Sequence, residues 1–526
     1  MLGRLLPLTV LSICCVAGNA YPITADEARA IASGEPDARI EALNRALATA
    51  DDKTAAFLQA LSRDEVKVTG DKVLLIKDGK GYDPVTGAEV AVPDTAEDAM
   101  NNNRMRGELD SALAALQLFS KTEATRMAAI KQLQSDADIS KLPLIEKAFA
   151  AEQNAQIKQQ LGLVRAAALL NSSDKIKRLE AARLLGSSTQ ANTKTVLLAR
   201  LTQESEPDVK AALKSTLKQV EAALAWGDRL GAIFSGISLG SILLLVALGL
   251  AITYGLMGVI NMAHGELMMV GAYATYVVQG LFQKYLPGAF DWYLLASVPV
   301  AFATSALIGA ALERSVIRFL YGRPLETLLA TWGISLMLMQ LVRGLFGAQN
   351  VGVENPSWMS GSVQVLGNLS LPYNRLVIIG FALFVLLAVA WLISKTRLGL
   401  FVRGVTQNRP VAACMGVNTA RIDTYAFALG CGIAGLAGCA LSQVGNVGPD
   451  LGQGYIVDAF MVVVLGGVGQ LAGTVYAAIG LGVLNKFLEG WAGAVLAKIA
   501  VLVLIIIFIQ KRPQGIFAMK GRSAEA

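Results

Sequence analysis

The sequence predicts a polytopic α-helical membrane protein of about nine spans, preceded by an exported, mainly α-helical, HEAT-like domain that carries a small β insert. Three observations carry this expectation. The 526 residues have a mean hydropathy of +0.50 and only 16% charged residues, against about 25% in an ordinary soluble protein. The charges are also segregated, since residues 1–230 hold 29 Lys+Arg and 30 Asp+Glu while residues 231–526 hold 17 and 10. The first part has the charge density of a water-soluble domain, and the second can sit in hydrocarbon without stranding many ions. Finally, the chain opens on MLGRLLPLTVLSICCVAGNA, with one Arg, an apolar run from Leu5 to Val16, and small residues at Gly18 and Ala20. This is the pattern of a secretory signal peptide over residues 1–20. The run is well short of the roughly 20 residues that a first transmembrane helix would need.

Cleavage after Ala20 makes Tyr21 the start of an exported domain over 21–227, followed by a membrane domain over 228–526. From Ala25 to Leu61, the spacing of Ala28, Ile31, Ile40, Leu43, Leu47, Phe57 and Leu61 suits short amphipathic helices. Val66 to Val92 alternates apolar and polar residues and carries Thr-Gly-Asp, Asp-Gly and Asp-Pro turn signals, which predicts a strand and hairpin insert. Helical periodicity resumes after Asn103 and runs to Trp226. Within it, AAIKQLQS at Ala128 aligns with AARLLGSS at Ala181, and EQNAQIKQQL at Glu152 with ESEPDVKAAL at Glu204, at offsets of 53 and 52. Stacked two-helix units explain such a repeat and suggest a docking surface; a plain helical bundle is the alternative.

Spans are expected at Ile233 to Met257, Gly265 to Phe282, Trp292 to Leu312, Thr327 to Phe346, Leu376 to Ser394, Thr424 to Val444, Tyr455 to Val468, Ala472 to Leu488 and Gly493 to Ile509. Positive residues cluster after the third (Arg314, Arg318, Arg323), the fifth (Lys395, Arg397, Arg403, Arg409, Arg421) and the ninth (Lys511, Arg512, Lys520, Arg522). All fall on one side, which the positive-inside rule makes the cytoplasm. Counting back places the first domain outside, as the leader requires independently.

Several kinds of chemistry are excluded. No GxxxxGK[ST] loop occurs, so any ATP and Mg must be bound by a partner, and no cofactor is expected in this chain. His264 is the one histidine, and no cysteine lies between Val16 and Ala413, which leaves no His-based metal site, triad or CxxC site. The positive excess sits in short segments between apolar runs and offers no face for nucleic acid. The glycines of Gly466-Gly467-Val468-Gly469-Gln470-Leu471-Ala472-Gly473 miss the dinucleotide spacing and read as tight turning or close helix packing. Polar residues inside a membrane domain are pathway candidates. The densest group, Asn261, His264, Gly265 and Glu266, lies where a helix break would open a water-filled route; an ordinary cytoplasmic turn is the alternative. Asn446 and Asp458 flank the seventh span, although Asp458 also suits a helix-start carboxylate.

The membrane half resembles the permease family of branched-chain amino-acid ABC importers. The residues that carry this are GISLGSILLLVALGLAITYGLMGVINMAHGELMMVGAY, TRLGLFVRGVTQNRPVAACMGVNTARI, AFALGCGIAGLAGCAL, VVVLGGVGQLAGTVYAAIGLGVL and RPQGIFAMKGR. The exported extension, GAQNVGVENPSWMSG and GNVGPDLGQGYIVDAFM are similar to the urea-transporting branch of that family, its B-subunit type of permease. The resemblance implies a transport component and not an enzyme, in a bacterial inner membrane. Its expected partners are a second homologous permease, two cytoplasmic ATPases that hydrolyse ATP, and a periplasmic solute-binding protein. Arg397, Gly399, Arg403, Ala412, Ala413, Met415 and Gly416 then become candidates for coupling to the ATPases, as basic residues beside a short apolar helix ended by glycine. A branched-chain amino-acid importer, an ion-coupled secondary transporter using Glu266 or Asp458, and an envelope scaffold remain as alternatives.

Overall fold

The computed structural model describes residues 23–517, apart from 49, 51, 71, 78, 94, 135–137 and 513; the leader and the last residues of the tail lie outside the described residues. Contacts divide the chain into two compact units that meet between Ala225 and Trp226.

The first unit opens with α1 (Ala25–Ala32), α2 (Pro36–Ala48) and α3 (Asp52–Ser62). A capping box starts α1: the Thr24 hydroxyl accepts from the Glu27 N–H, and the Glu27 carboxylate accepts from the Thr24 N–H at 2.9 Å. Five antiparallel strands follow, β1 (Val66–Thr69), β2 (Lys72–Lys77), β3 (Lys80–Tyr82), β4 (Glu89–Val90) and β5 (Glu97–Asp98), in the order β4-β3-β2-β1-β5. The hairpin expected over Val66 to Val92 is thus extended by β5, whose Glu-Asp pair carries no strand signal and is held by backbone pairing to β1.

After α4 (Asn103–Gln117) come two copies of one three-helix unit. The first is α5 (Glu123–Leu133), α6 (Leu142–Ala151) and α7 (Ala155–Leu169). The second is α8 (Lys175–Leu185), α9 (Ala191–Gln203) and the start of α10 (Pro207–Met257). One offset of 52 maps buried Ala129, Ile130 and Leu133 onto Ala181, Ala182 and Leu185, and Ile157 and Leu161 onto Val209 and Leu213. It therefore replaces the 53 expected for the first motif, and the two-helix unit becomes three, because Glu152 and Glu204 each end a helix. In both copies an arginine locks that break. Arg126 Nε donates to Glu152 Oε2 at 2.8 Å and its Nη1 to the Ser120 carbonyl; Arg178 Nε donates to Glu204 Oε2 at 2.9 Å and its Nη1 to the Ser172 carbonyl. Each glutamate also accepts from the two N–H groups that follow it.

In the second unit, α10 is followed by α11 (His264–Tyr285), α12 (Tyr293–Ser315), α13 (Pro324–Phe346), a hairpin of β6 (Ser362–Leu366) and β7 (Leu369–Pro372), and α14 (Tyr373–Lys395). Two short helices, α15 (Arg397–Gln407) and α16 (Arg409–Cys414), lead to α17 (Thr419–Ser442), α18 (Leu451–Gly466), α19 (Leu471–Ala492) and α20 (Ala494–Lys511). Among the described residues, seven helices are long and apolar enough to cross a membrane: α10, α12, α13, α14, α17, α19 and α20. The remaining two of the nine expected spans are helices at the expected places, but α11 is too polar and α18, at 16 residues, too short to count by length and composition. The polarity of α11 has a physical reason. It is packed against α12 and α17 with twelve of its residues buried, so its Glu, Thr and Gln side chains face protein and not hydrocarbon.

Small residues let α17 sit against three neighbours at backbone contact. A Cβ on Gly430 would stand 2.7 Å from the Gly249 carbonyl oxygen of α10, one on Gly435 2.7 Å from Ser305 Cβ of α12, and one on Gly438 2.8 Å from the Ala272 nitrogen of α11. The glycines of 466–473 serve turning and packing as expected: Gly467 and Gly469 have φ of +99° and +81°, and Gly466 lies against Gly473.

Candidate solute route and coupling segment

After α10 the chain turns at Gly258, with φ +68°, and doubles back before α11 begins. The His264 ring shows how far back it comes. Its Nε2 lies 3.2 Å from the Val246 carbonyl, to which it donates, and the ring packs on Gly249, which itself touches Gly430 in the middle of α17. Helix α11 therefore starts level with the middle of the apolar stretch of α10, so the break lies among the spans and not at their ends. Asn261 shapes it: its Oδ1 accepts from the Ala263 N–H at 3.1 Å and its carbonyl from the His264 N–H at 3.3 Å. Gly265 has no room for a side chain because the backbone of Gly452 lies against it. The N-termini of α11 and α18 thus converge.

Two hydroxyls of α13, on Thr331 and Ser335, face the break, and Thr327 lies a turn before them with its hydroxyl on the Leu320 and Arg323 carbonyls. Thr327, Thr331 and Ser335, four residues apart, are all buried. Thr331 Oγ1 accepts from the Met262 N–H at 3.2 Å, and Ser335 donates to Glu266 Oε1 at 3.1 Å. The other Glu266 oxygen, the Tyr273 hydroxyl, Asn261 Nδ2 and His264 Nδ1 are buried without a hydrogen-bond partner among the described residues. Asp450, exposed just before α18, lies within electrostatic reach of both Glu266 and Tyr273. The ion pairs of this unit among the described residues, Arg323–Glu326, Arg409–Asp423, Lys486–Glu489 and Lys498–Asp458, use neither Glu266 nor Asp450. Glu266 and Asp450 thus bring acceptor oxygens beside two converging helix N-termini. Such oxygens offer acceptors to N–H donors.

Sequence reasoning missed Thr331, Ser335, Tyr273 and Asp450. The structure gathers Asn261, His264, Gly265 and Glu266 but brings neither Asn446 nor Asp458 to them by a contact. Asn446 is exposed beside Gly352, in a segment whose Val447 pairs with Val351. Asp458 is not at a helix start: it lies inside α18, where its Oδ2 pairs with Lys498 of α20 at 3.5 Å.

The coupling candidates lie together. Gly399, in α15, is jammed against the backbone of Ile393, which makes the sharp exit from α14, and Arg403 Nε donates to the Gly399 carbonyl at 3.3 Å. Arg397 and Arg403 are exposed. Asn408 caps α16 by accepting from the Val411 N–H at 3.1 Å, and Gly416, with φ +85°, turns the chain towards α17. Ala412 faces inwards, whereas Val411, Ala413, Cys414 and Met415 face out, Met415 at 80% exposure.

The second unit is thus polytopic and helical, with an interior break lined by polar groups, the build of a membrane transport protein. Residues 232–510 match the protein-family model described as the permease component of the branched-chain amino acid transport system, and the chain belongs to that ABC permease family. Among its relatives is the high-affinity branched-chain amino acid transport system permease protein LivH of Salmonella typhimurium, 28% identical over 54% of this chain and 93% of the relative. BraD of Pseudomonas aeruginosa, with the same description, is 27% identical over 54% and 93%. The ribose import permease protein RbsC of Escherichia coli is 29% identical over 37% and 61%. No solved structure matches the chain.

Proposed function

We propose that the chain is the permease subunit of an ATP-binding-cassette importer that passes urea, or a closely similar small amide, across the inner membrane. Two partner ATPases bind ATP and Mg, a second homologous permease completes the membrane part, and a periplasmic protein delivers the solute. The observation that supports the solute class is the break between α10 and α11, where the free oxygen of Glu266, the Tyr273 hydroxyl and Asp450 gather without a paired cation. Urea presents N–H donors on both sides of one carbonyl and carries no carboxylate. A second reading, a branched-chain amino acid, is favoured by the names of LivH and BraD; it requires the same place to accept a carboxylate. Uptake by the complete complex separates them. Labelled urea is expected to enter on ATP addition and leucine to remain outside; entry of leucine but not urea overturns the first reading.

The first unit belongs outside in this proposal and the Arg397 to Asn418 segment in the cytoplasm, on the distribution of positive residues. A reporter active only in the cytoplasm, fused after Trp226, is expected to be silent. A signal there reverses the orientation.

A further inference from the structure

We infer that Arg409 is the joint through which displacement of α16 reaches α12 and α17, a positioning residue for energy coupling. The inference rests on the reading of Arg397 to Asn418 as the segment that meets the ATPases. Helix α16 has six residues, too few to hold its own shape, and Ala412 is its one buried residue. Its firm attachment is polar. The Arg409 guanidinium pairs with the carboxylate of Asp423 on α17 and lies over the Tyr321 ring, 5.0 Å from its centre. The Tyr321 hydroxyl donates to Glu313 Oε1 at 3.0 Å, at the end of α12, and the Thr424 hydroxyl of α17 donates to Glu313 Oε2 at 2.6 Å. Both carboxylates are buried, Glu313 at 2% exposure and the Asp423 side chain at 5%.

The arrangement needs an arginine. A planar guanidinium can stack on the tyrosine and pair with the carboxylate at once, whereas a lysine ammonium does one or the other. It also holds one more carboxylate than cation, so loss of Arg409 leaves Asp423 and Glu313 facing each other with like charge. Pushing on α16 therefore pulls on Asp423 and Tyr321 together, and through Glu313 on two spans.

The test uses the assembled complex in proteoliposomes, with ATP hydrolysis and uptake of labelled urea and leucine measured side by side. For Arg409→Ala, hydrolysis is expected to stay within about twofold of the wild type while uptake falls about tenfold or more, the scale of losing one partner of a charged hydrogen bond. Arg409→Lys is expected to restore part of the solute moved per ATP, and the exchange Arg409→Asp with Asp423→Arg more than Arg409→Asp alone. An unchanged ratio of uptake to hydrolysis overturns the inference. So does an equal fall in both with ATPases lost from the purified complex, which would mark Arg409 as merely holding the fold of α16. Failure of the underlying reading shows separately: with Arg409 intact, a cysteine in place of Ala413 would not bridge to a groove cysteine on an ATPase in a transport-active complex, and the inference would fall with it.

Discussion

Glu266→Gln is expected to lower uptake by the assembled complex about ten- to a hundredfold, as expected when a charge-assisted hydrogen bond in a buried place is lost. Glutamine fits the same space and can still accept from Ser335 at the position of Oε1, so the fold of the break is kept and the loss falls on the second oxygen, which has no partner among the described residues. Asp458→Asn supplies the contrast. Its carboxylate is held by Lys498 away from the break, and uptake should stay within about twofold, as for a change remote from the site. Equal losses from the two changes would place the route elsewhere, and full uptake by Glu266→Gln would reduce Asn261 to Glu266 to a structural turn.

The largest effect on stability is expected at the second repeat. Arg178→Ala takes the deeper of two cations from Glu204, buried at 1% side-chain exposure, and leaves Arg200 at 3.0 Å, a loss of about 1.5–3 kcal/mol. Burial pushes the Glu204 carboxyl up, but the Glu206 N–H, Arg200 and Arg178 outweigh it and hold it at about 2, below the 4.5 of a free glutamate. A carboxyl held down in the folded state contributes its full stability above the unfolded value and loses it as pH falls through the folded one. Protection of residues 175–220 against proteolysis, followed by mass spectrometry on the whole chain, should therefore fall between about pH 4.5 and 2. In Glu204→Gln it should be lower at pH 7 and flat across that window; an unchanged slope would show that another group sets it.

Much of this architecture can be read from the residues because apolar runs and charge segregation report directly on burial. The helices around Ile233, Trp292 and Leu376 fall where their runs do. The limits of such reading are equally specific. Thr331 and Ser335 look like ordinary hydroxyls in an apolar helix, and only the fold shows that they meet Met262 and Glu266. Asp458 stands out as an acid in an apolar run, yet its partner lies forty residues away on α20. Asp450 hides in a Gly-Pro-Asp turn. The repeat was visible at Glu152 and Glu204, but the register of Ala128 against Ala181 slipped by one, because alanines match at either offset and the arginines that fix it precede both motifs.

The glycines of α17 also have a mechanical consequence. Three backbones rest on that helix within an arc of about 140°, so turning it about its own axis would drive it into a main chain. The apolar part of α10, with α11, α12 and α17, is thus expected to move as one body. Helix α13 meets this body at the break through hydroxyls, which can exchange one acceptor for another over a short slide without opening a void. A short slide along that contact keeps a hydrogen bond at each step, and Glu266, bound by Ser335, lies on its line.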